Sequence, residues 1–446
     1  MGDGKSPFPR WLPVFSLVGY YLIGYQLPRH DFLPLILVFT VLFISYLWWY
    51  HKVETTKEVD QAIFAAILFR CSLIIAIPSL SDDFYRYIWD GHLLNAGMSP
   101  FARLPSDLIT DPNLSLGIDQ DLYENLNSRS YFTVYPPLNQ LMFWLSTYLF
   151  PSSHFGSVLV LRAILLMAEI GSIYLIRQLL KAKQLPEKNV LLYALNPLVV
   201  VELTGNLHFE ALVIVFLLWS LLAFHQSRIT SSSITLALSI GSKLVPLIFL
   251  PLLLRRHTWK RLGQYYIITG LALIVLFIPL LFDPSFISGM GNSLSLYFQK
   301  FEFNASIYYI VREIGFGVKG YNIIGSAGKG LALSSMLGIA IFALWQKPSR
   351  LDLSQAMLWT LTFYLAMSTT IHPWYVIPLV ALSALGRFRF VISWSFLIFF
   401  TYIGYTENGY QENLMVVAME YIIVFGIVIL ELFYPRLIER FALTNS

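Results

Sequence analysis

Residues 81–101 read SDDFYRYIWDGHLLNAGMSPF, and the interpretation of the whole chain starts from this stretch. It opens with two adjacent carboxylates, Asp82 and Asp83, and continues with charged, aromatic and turn-forming residues. It directly follows residues 63–80, an apolar run long enough to cross a bilayer as a helix. An acidic and aromatic cluster is therefore predicted at a membrane surface, with the rest of the chain as its scaffold.

The composition indicates an all-α polytopic membrane protein. Of the 446 residues, 57% are hydrophobic and only 13% are charged, whereas soluble proteins have about 25% charged residues. The single cysteine, Cys71, excludes an intrachain disulfide and a cysteine-based metal site. No Walker-type loop and no glycine-rich loop after a strand occurs, so neither a nucleotide-binding domain nor a nucleic-acid partner is expected.

Apolar runs predict about 12–14 transmembrane helices of roughly 20 residues each. Residues 231–255 are interpreted as two short apolar pieces around Lys243. Residues 138–150 are apolar but short, and they are interpreted as a juxtamembrane or re-entrant helix. The other predicted spans are residues 11–27, 32–50, 61–80, 157–177, 189–203, 208–225, 262–282, 330–346, 355–371, 375–386, 391–405 and 414–434.

The positive charges indicate the orientation of the chain. With the N-terminus placed inside, the short inside loops hold more than half of the 30 Lys and Arg residues, as the positive-inside rule expects. The outside then carries two large loops, 81–156 and 283–329. Three parts are predicted: two accessory helices in residues 1–60, a catalytic membrane module in residues 61–282, and a C-terminal module in residues 283–446.

Asp82 and Asp83 are the candidate catalytic residues. A positioned, ionised carboxylate is what a general base for a sugar hydroxyl requires. The alternative is that both acids are solvated caps at the end of a helix on the membrane surface.

The residues after the two acids have helical spacing. Tyr85, Ile88 and Trp89 stand at positions i, i+3 and i+4, so a helix would place them on one face. This face is expected to lie on lipid. Arg86 and Asp90 would then lie near the acids. Arg86 is three or four residues from each acid, so it is expected to hold one of them in place.

Polar residues also interrupt the later apolar runs. His208 and Glu210 lie in a predicted outer turn, where such groups are costly unless they are solvated or partnered. They are either functional or a cap at the end of a span. Pro197 is expected to break or kink the preceding span.

Three basic residues fall within apolar runs. Lys243 is either a phosphate-binding cation or a lysine that reaches back to the interface. Arg70 and Arg162 are either functional or paired structurally with Glu169 or another carboxylate.

Two further segments offer substrate contacts. His372, Trp374 and Tyr375 form a predicted outer turn, in which the imidazole could bind a phosphate or sugar and the aromatics also suit a membrane interface. Lys300 in the second loop could bind a phosphate. Tyr135 precedes two prolines that set a rigid start for the next helix.

The order of these motifs resembles that of a known group. DDFYRYIWDG at residues 82–91 is followed by YPPL at 135–138, GNLHFE at 205–210, GSKLVP at 241–246 and LPLLL at 250–254. This order resembles the GT-C superfamily of integral membrane glycosyltransferases. It is most similar to the polyprenyl-phosphate-mannose-dependent mannosyltransferases of the prokaryotic type and their glycosylphosphatidylinositol-pathway relatives, from about residue 61 onward.

The resemblance implies a reaction at the extracytoplasmic or lumenal face. A hexose, with mannose the first expectation, would pass from a polyprenyl-phosphate sugar to a lipid or glycan acceptor with inversion. Asp82 or Asp83 would be the base, His208 and Glu210 would match an acidic turn of the family, and Lys243 would match a basic position. The plasma membrane of a prokaryote is expected rather than the endoplasmic reticulum.

The leaving phosphate needs positive charge. The candidates for supplying it are Lys300, Arg312, His372 and a divalent cation such as Mg or Mn. No spacing requires a metal. The side chains that could bind one are Asp82, Asp83, His208 and Glu210.

Two other classes of protein compete with this reading. A transporter or lipid flippase predicts inverted repeats and charges near the bilayer midplane. An assembly factor without chemistry leaves the acidic cluster unexplained. A cavity that joins Asp82 or Asp83 to Glu210 and His372 favours the transferase.

Overall fold

The apolar runs fold as helices because a helix satisfies every backbone hydrogen bond within its own segment, which a bilayer demands. A computed structural model describes residues 11–111 and 118–434. Residues 1–10 and 435–446, the predicted ends of the first and last modules, and residues 112–117 of the first loop lie outside the described residues.

The first half of the described chain contains twelve α-helices and three other helical segments. The α-helices are α1 (Trp11–Tyr25), α2 (Phe32–Lys52), α3 (Thr56–Cys71), α4 (Asp83–Asn95), α5 (Pro105–Leu108), α6 (Gln120–Glu124), α7 (Pro137–Leu149), α8 (His154–Ala182), α9 (Leu191–Ala194), α10 (Pro197–Val199), α11 (Glu210–His225) and α12 (Ile229–Ser242). The other segments are 3₁₀ helices at Glu187–Val190 and Val245–Arg255 and a π-helix at Val200–Gly205.

The second half adds helices and one small hairpin. The helices are α13 (Trp259–Leu281), α14 (Phe286–Lys300), α15 (Ile307–Lys319), α16 (Ile324–Trp345), α17 (Leu353–Ala366), α18 (Ile377–Ala384), α19 (Phe390–Leu397) and α20 (Leu414–Phe433), with 3₁₀ helices at Pro373–Val376 and Ile398–Gly404. Strands β1 (Tyr405–Thr406) and β2 (Gly409–Tyr410) pair antiparallel.

The fold class predicted from the sequence is confirmed: the described chain is an all-α polytopic membrane protein. Five helices are long and apolar enough to cross a membrane individually, and a sharply bent helix pair would make a sixth. The remaining predicted spans are shorter helices or are interrupted, as at residues 189–203. Residues 138–150 form the short α7, as expected, and Lys243 separates two short helical pieces.

The helix before the acidic cluster differs from the predicted span 61–80. α3 begins at Thr56 because Thr55 and Glu58 form a reciprocal capping box, and it ends at Cys71. The segment between α3 and α4 is therefore irregular, and it carries the chain to the start of α4 at Asp83.

The helical path is broken near its centre. Asn196 and Pro197 interrupt it as predicted, and the segment Pro197–Gly205 meets α11 at 116°. Leu207 lies at this break with φ of 62°, a left-handed conformation that is uncommon for leucine. The break places His208 and Glu210 at the N-terminal end of α11 instead of inside a continuous span.

Two buried arginines hold this break. The Arg70 guanidinium pairs with Glu169 at 2.7 Å and donates to the Ala194 carbonyl at 2.7 Å. This is the structural pairing that the sequence allowed for Arg70. Arg162 instead donates to three backbone carbonyls, those of Ile74, Thr204 and Gly205, at 2.9–3.2 Å. Thr204 also donates to Glu169, so both arginines act on the π-helical segment.

The first large loop folds back onto the helices through α4 and α7. Gly91 of α4 lies directly against the Phe143 carbonyl of α7, where a Cβ atom would clash with the backbone. Phe303 of the second loop exchanges backbone hydrogen bonds with Thr369 and Ile371 at 3.1 and 2.8 Å. The second large loop therefore pairs with the segment that leads to His372.

The buried Arg70–Glu169 pair predicts a large effect of removing one partner. Glu169→Leu should lower the free energy of unfolding by about 3–5 kcal/mol, because Arg70 would be left as an uncompensated buried charge. The double variant Arg70→Met with Glu169→Leu should be clearly more stable than Glu169→Leu alone. Thermal unfolding of the purified protein in detergent measures both.

A surface pair provides the control. Asp60, whose side chain is 55% exposed, pairs with Arg177, and Asp60→Ala should cost at most about 1 kcal/mol. Equal losses for Glu169→Leu and Asp60→Ala would contradict the assigned role of the buried pair.

Candidate active site

A cavity of about 540 Å³ lies where the loops meet the ends of the helices. It is lined from eight separate parts of the chain. The sequence-predicted residues that line it are Asp82, Asp83, Arg86, Tyr135, His208, Glu210, Lys243, His372, Trp374 and Tyr375. Glu302 and Phe303, from the segment of the second loop that the sequence offered for substrate contacts, also line it, and further lining side chains that the sequence did not point to include Arg29, Asn127, Tyr405 and Tyr410.

The two adjacent aspartates have different partners. Asp82 forms an ion pair with Arg29 at 2.6 Å. The Asp82 side chain is 35% exposed and the Arg29 side chain is 31% exposed. Asp83, the first residue of α4, accepts hydrogen bonds from the Asn127 amide at 2.8 Å and from the Tyr135 hydroxyl at 3.5 Å. One carboxylate therefore faces a cation, and the other faces neutral donors.

The predicted role of Arg86 as a partner of Asp82 or Asp83 is wrong. Arg86 pairs with Asp90 at 2.7 Å and donates to the carbonyls of Ser128 and Tyr131. Asp90 lies one helical turn further along α4, which is an equally good spacing for an ion pair with Arg86. Asp90 is also fully buried. This pair ties α4 to residues 128–131 of the loop.

The expected lipid-facing surface of α4 is also wrong. Ile88 and Trp89 are fully buried within the protein, and only Tyr85 is partly exposed. The helix is covered by α7 and by the rest of the loop, because an apolar helical face packs against protein as readily as against lipid. Asp90 is buried beneath the site, where the Gln140 amide donates to it at 2.9 Å, and it does not line the cavity.

Lys243 enters the cavity from the gap between two helical pieces. Its backbone is extended, with φ of −157° and ψ of 138°, so the chain turns out of α12 at this point. Its ammonium forms an ion pair with Glu210 and lies 3.8 Å from the centre of the Tyr375 ring. The Lys243 side chain is 32% exposed, which leaves the ammonium accessible from the cavity.

Three rings form a stack on the cavity wall. The Trp374 ring is 3.6 Å from the His208 ring and 4.5 Å from the His372 ring, nearly parallel to both. Beneath the stack, His208 Nε2 lies 3.3 Å from Glu202 without hydrogen-bond geometry. His208 is therefore a buried, stacked side chain, which is one of the two ways in which the sequence allowed for it, partnered instead of solvated.

His372 is not a source of positive charge at neutral pH. Burial is the main cause, and together with the nearby Lys243 and His208 it lowers the pKa of the imidazole to about 3. Its Nδ1 atom is buried without a hydrogen-bond partner. The imidazole can serve a substrate as a hydrogen-bonding group, but it cannot balance a phosphate charge.

Two predicted phosphate ligands lie elsewhere. Lys300 is exposed at the C-terminal end of α14 and does not line the cavity. Arg312 pairs with Glu302 at 2.6 Å and with Glu313 at 3.1 Å, and it lies over the Tyr309 ring. Arg312 reaches the cavity only through Glu302, which does line it.

Arg29 was missed although the sequence carries a signal for it. It lies in the short turn between the two N-terminal helices, in a segment predicted to be outside. A basic residue in such a segment runs against the positive-inside pattern and can mark a functional charge. Tyr405 and Tyr410 had no such signal, because aromatic residues are common at membrane interfaces for simple amphipathic reasons.

A wall of the cavity is supported by a partly buried carboxylate. Glu412 accepts hydrogen bonds from the Asn304 backbone amide and from the Tyr309 and Tyr410 hydroxyls. Tyr410 stacks on Phe303, with 4.9 Å between ring centres. Glu412 therefore joins the second large loop to the small β-hairpin.

Metal binding remains a prediction. Within the described residues, the one group of three potential ligands close enough to share an ion is Asp119, Asp121 and His154, whose ligand atoms lie within 4.8 Å of one another. This group is on the surface, away from the residues that line the cavity. Of the predicted ligands, Asp82 is engaged by Arg29 and Glu210 by Lys243.

The geometry is that of a group-transfer site. Carboxylates able to take a proton lie in the same cavity as a lysine able to balance an anion, with aromatic rings on the walls. The N-terminal domain of the alpha-(1->6)-mannopyranosyltransferase family (MptA_B_family) matches residues 18–257, more than half of the chain, and the protein belongs to this family of membrane glycosyltransferases. Because the protein belongs to this family, it is a mannosyltransferase, and the alternative of a transporter or flippase is excluded.

A curated relative agrees with this family. The chain is 22% identical to alpha-(1->6)-mannopyranosyltransferase A of Mycobacterium tuberculosis (strain ATCC 25618 / H37Rv) over 365 residues. The similarity covers 76% of this chain and 68% of the relative. The predicted resemblance to GT-C mannosyltransferases is confirmed.

The environment of Glu412 predicts a pH-dependent stability. Burial raises the pKa of this carboxyl from 4.5 to about 7, although the Asn304 amide acts in the opposite direction. The folded protein thus holds the proton more tightly than the unfolded chain. The resulting stabilisation is complete below about pH 4.5 and is lost as the pH rises to about 7.

Glu412→Gln should therefore raise the melting temperature at about pH 8 and change it little at about pH 5. Differential scanning fluorimetry at both pH values measures this, with the exposed Glu407→Gln in the same hairpin region as the matched control. A variant that is less stable than the wild type at pH 8 would contradict the assigned protonation.

Proposed function

We propose that this protein transfers mannose from a polyprenyl-phosphate mannose to a lipid or glycan acceptor, with inversion, at the extracytoplasmic face of a prokaryotic plasma membrane. The observation that carries the proposal is the single cavity that Asp82, Asp83, Lys243 and the stacked rings all line. Family membership supports the mannosyl group, and the cavity geometry supports the roles of the residues.

The position of the cavity supports a lipid-linked donor. α14 contributes Ser293 and Leu296 to the lining, and about two turns earlier on the same helix Ile287 is 75% exposed. Leu281 and Phe282, just before this helix, are also largely exposed. An isoprenoid chain can lie on this apolar surface while its phosphate reaches the polar cavity.

The proposed chemistry is a single displacement. The acceptor hydroxyl attacks the anomeric carbon while Asp82 or Asp83 takes its proton. The bond from the anomeric carbon to the phosphate oxygen breaks, and its electron pair leaves with polyprenyl phosphate. Attack from the face opposite the leaving group inverts the anomeric centre.

The leaving phosphate carries the developing negative charge. Lys243 is the lysine on the cavity wall, and its ammonium can move from Glu210 to a phosphate oxygen without crossing the cavity. The lysine ammonium is a compact point charge, and such a cation suits a phosphate. The role proposed from the sequence for Lys243 is kept, whereas Lys300 and Arg312 are no longer proposed as phosphate ligands.

The face and the membrane are proposed from two separate arguments. The distribution of Lys and Arg supports an outside position for the loops that build the cavity. The relative from a bacterium favours a prokaryotic plasma membrane. On the outside no nucleotide sugar is at hand, which also favours the lipid-linked donor.

The proposed base predicts the outcome of a transfer assay. With polyprenyl-phosphate mannose as donor, the double variant Asp82→Asn with Asp83→Asn should lose about 10²–10⁴-fold in kcat, because no carboxylate would be left to take the proton. The measurement is product formation by the purified protein in lipid nanodiscs, with and without EDTA to test the open question of a divalent cation.

Asp107→Asn is the matched control, because Asp107 is an exposed acid of the same loop that does not line the cavity. If the double variant transferred mannose at the rate of the control, neither Asp82 nor Asp83 could be the general base. A wild type that uses a nucleotide sugar but no lipid-linked donor would contradict the proposed donor.

Lys243 should act mainly on the donor phosphate. Lys243→Gln should lower kcat/KM for the donor by roughly 10–100-fold, the loss of one charge-assisted contact at a developing charge. The double variant Lys243→Gln with Glu210→Gln should fold without a stranded carboxylate and should still be impaired. Lys319→Gln, on the surface, is the control, and an unimpaired double variant would remove Lys243 from the mechanism.

A further inference from the structure

The turn between α1 and α2 is held firmly against the cavity. The Tyr25 hydroxyl donates to the Ser72 carbonyl at 2.7 Å, and the Ser79 hydroxyl donates to the Ile23 carbonyl at 3.2 Å. These bonds tie the end of α1 to the irregular segment that leads to α4. Arg29, in this turn, is therefore presented to the cavity by a fixed backbone.

Arg29 joins three distant segments at the rim of the cavity. Its guanidinium is 2.6 Å from the Asp82 carboxylate and 4.9 Å from the centre of the Tyr405 ring. Asp82 lies at the start of the first large loop, and Tyr405 belongs to the small β-hairpin. Both Arg29 and Asp82 remain about one-third exposed, so the pair borders the space that a substrate would fill.

No other described Lys or Arg in the lining is available to replace Arg29. Those lining residues are Arg86 and Lys243, and each already has a carboxylate of its own, Asp90 and Glu210. The charges around the cavity are thus matched in pairs. The Asp83 carboxylate lies outside these pairs and is held by Asn127 and Tyr135.

We infer that Arg29 is a positioning residue that withdraws Asp82 from the reaction, so that Asp83 is the general base. The inference rests on the proposed function. The Arg29 guanidinium neutralises Asp82 and engages one of its carboxylate oxygens, which leaves Asp83 as the one of the two adjacent acids that is open to the acceptor. The Asn127 amide and the Tyr135 hydroxyl then fix the orientation of the Asp83 carboxylate toward the acceptor.

The inference gives the N-terminal helical pair a role in the chemistry. These two helices supply the charge that separates the functions of two neighbouring acids. The proton of the acceptor hydroxyl passes to Asp83, while Asp82 keeps its ion pair throughout.

The test is a charge cycle on the full-length protein in nanodiscs, with kcat and donor KM measured separately. Asp83→Asn should lower kcat by about 100-fold or more. Arg29→Gln and Asp82→Asn should each lower kcat roughly 10-fold, because each leaves one unmatched charge beside Asp83, and donor KM should change less than about 3-fold. The double variant Arg29→Gln with Asp82→Asn should recover to within about 3-fold of the wild type, as should Arg29→Lys.

A loss of kcat at a nearly constant donor KM separates this role from a purely structural one, since a loosened turn would disturb donor binding as well. A double variant no better than Arg29→Gln would overturn the inference, as would an Asp82→Asn variant that loses more activity than Asp83→Asn. An inactive wild type would contradict the proposed function itself, and the inference would fall with it. An active wild type matched by Arg29→Gln would contradict the inference alone.

Discussion

The site depends on two arginines that are buried among apolar helices. Arg70 is neutralised by Glu169, and Arg162 is satisfied by three backbone carbonyls of the interrupted segments. A charge at this depth is stable only with such partners. Because those partners include the π-helical segment, the arginines fix the break that ends at His208 and Glu210. Without the break, Glu210 would lie inside a continuous span instead of at the cavity.

The same rule of matched charges extends to the cavity. Asp82 faces Arg29, Glu210 faces Lys243, and Asp90 faces Arg86. Such pairing keeps a polar cavity stable at the end of an apolar bundle, and it leaves substrates to compete for defined cations. An anionic phosphate can draw Lys243 away from Glu210, whereas an acceptor hydroxyl needs the carboxylate that no cation occupies. The proposed transfer needs both kinds of group in one place.

Much of this arrangement could be read from local sequence patterns. The adjacent acids after an apolar run, the proline that breaks a span and the lysine between two short apolar pieces are all local features. The structure brings the acids and the lysine to the lining of one cavity. Partners could not be read in the same way. Arg86 had two acids within one helical turn before it and one after it, and spacing alone did not show that the buried Asp90 would win. Trp89 was expected on lipid because an amphipathic pattern does not distinguish lipid from protein.

The residues that were missed come from turns that are distant in the chain. Arg29, Asn127 and Tyr405 approach Asp82 and Asp83 only once the N-terminal helices and the β-hairpin are packed, and no periodicity links them. The span count differed for a related reason. Helices of 10–17 residues cover several predicted spans, because prolines and polar breaks divide apolar runs that hydropathy alone treats as continuous.

In the proposed reaction, one cavity holds the donor phosphate at Lys243 and the acceptor hydroxyl at Asp83. A cryo-electron microscopy structure in nanodiscs with a non-transferable polyprenyl-phosphonate mannose analogue tests it most directly. The account predicts a phosphonate oxygen within hydrogen-bond distance of Lys243 Nζ, about 2.7–3.2 Å, the isoprenoid chain along α14, and the Asp83 carboxylate on the opposite side of the anomeric carbon from the phosphonate. A phosphonate bound away from Lys243, or an anomeric carbon that faces neither aspartate, would contradict the account.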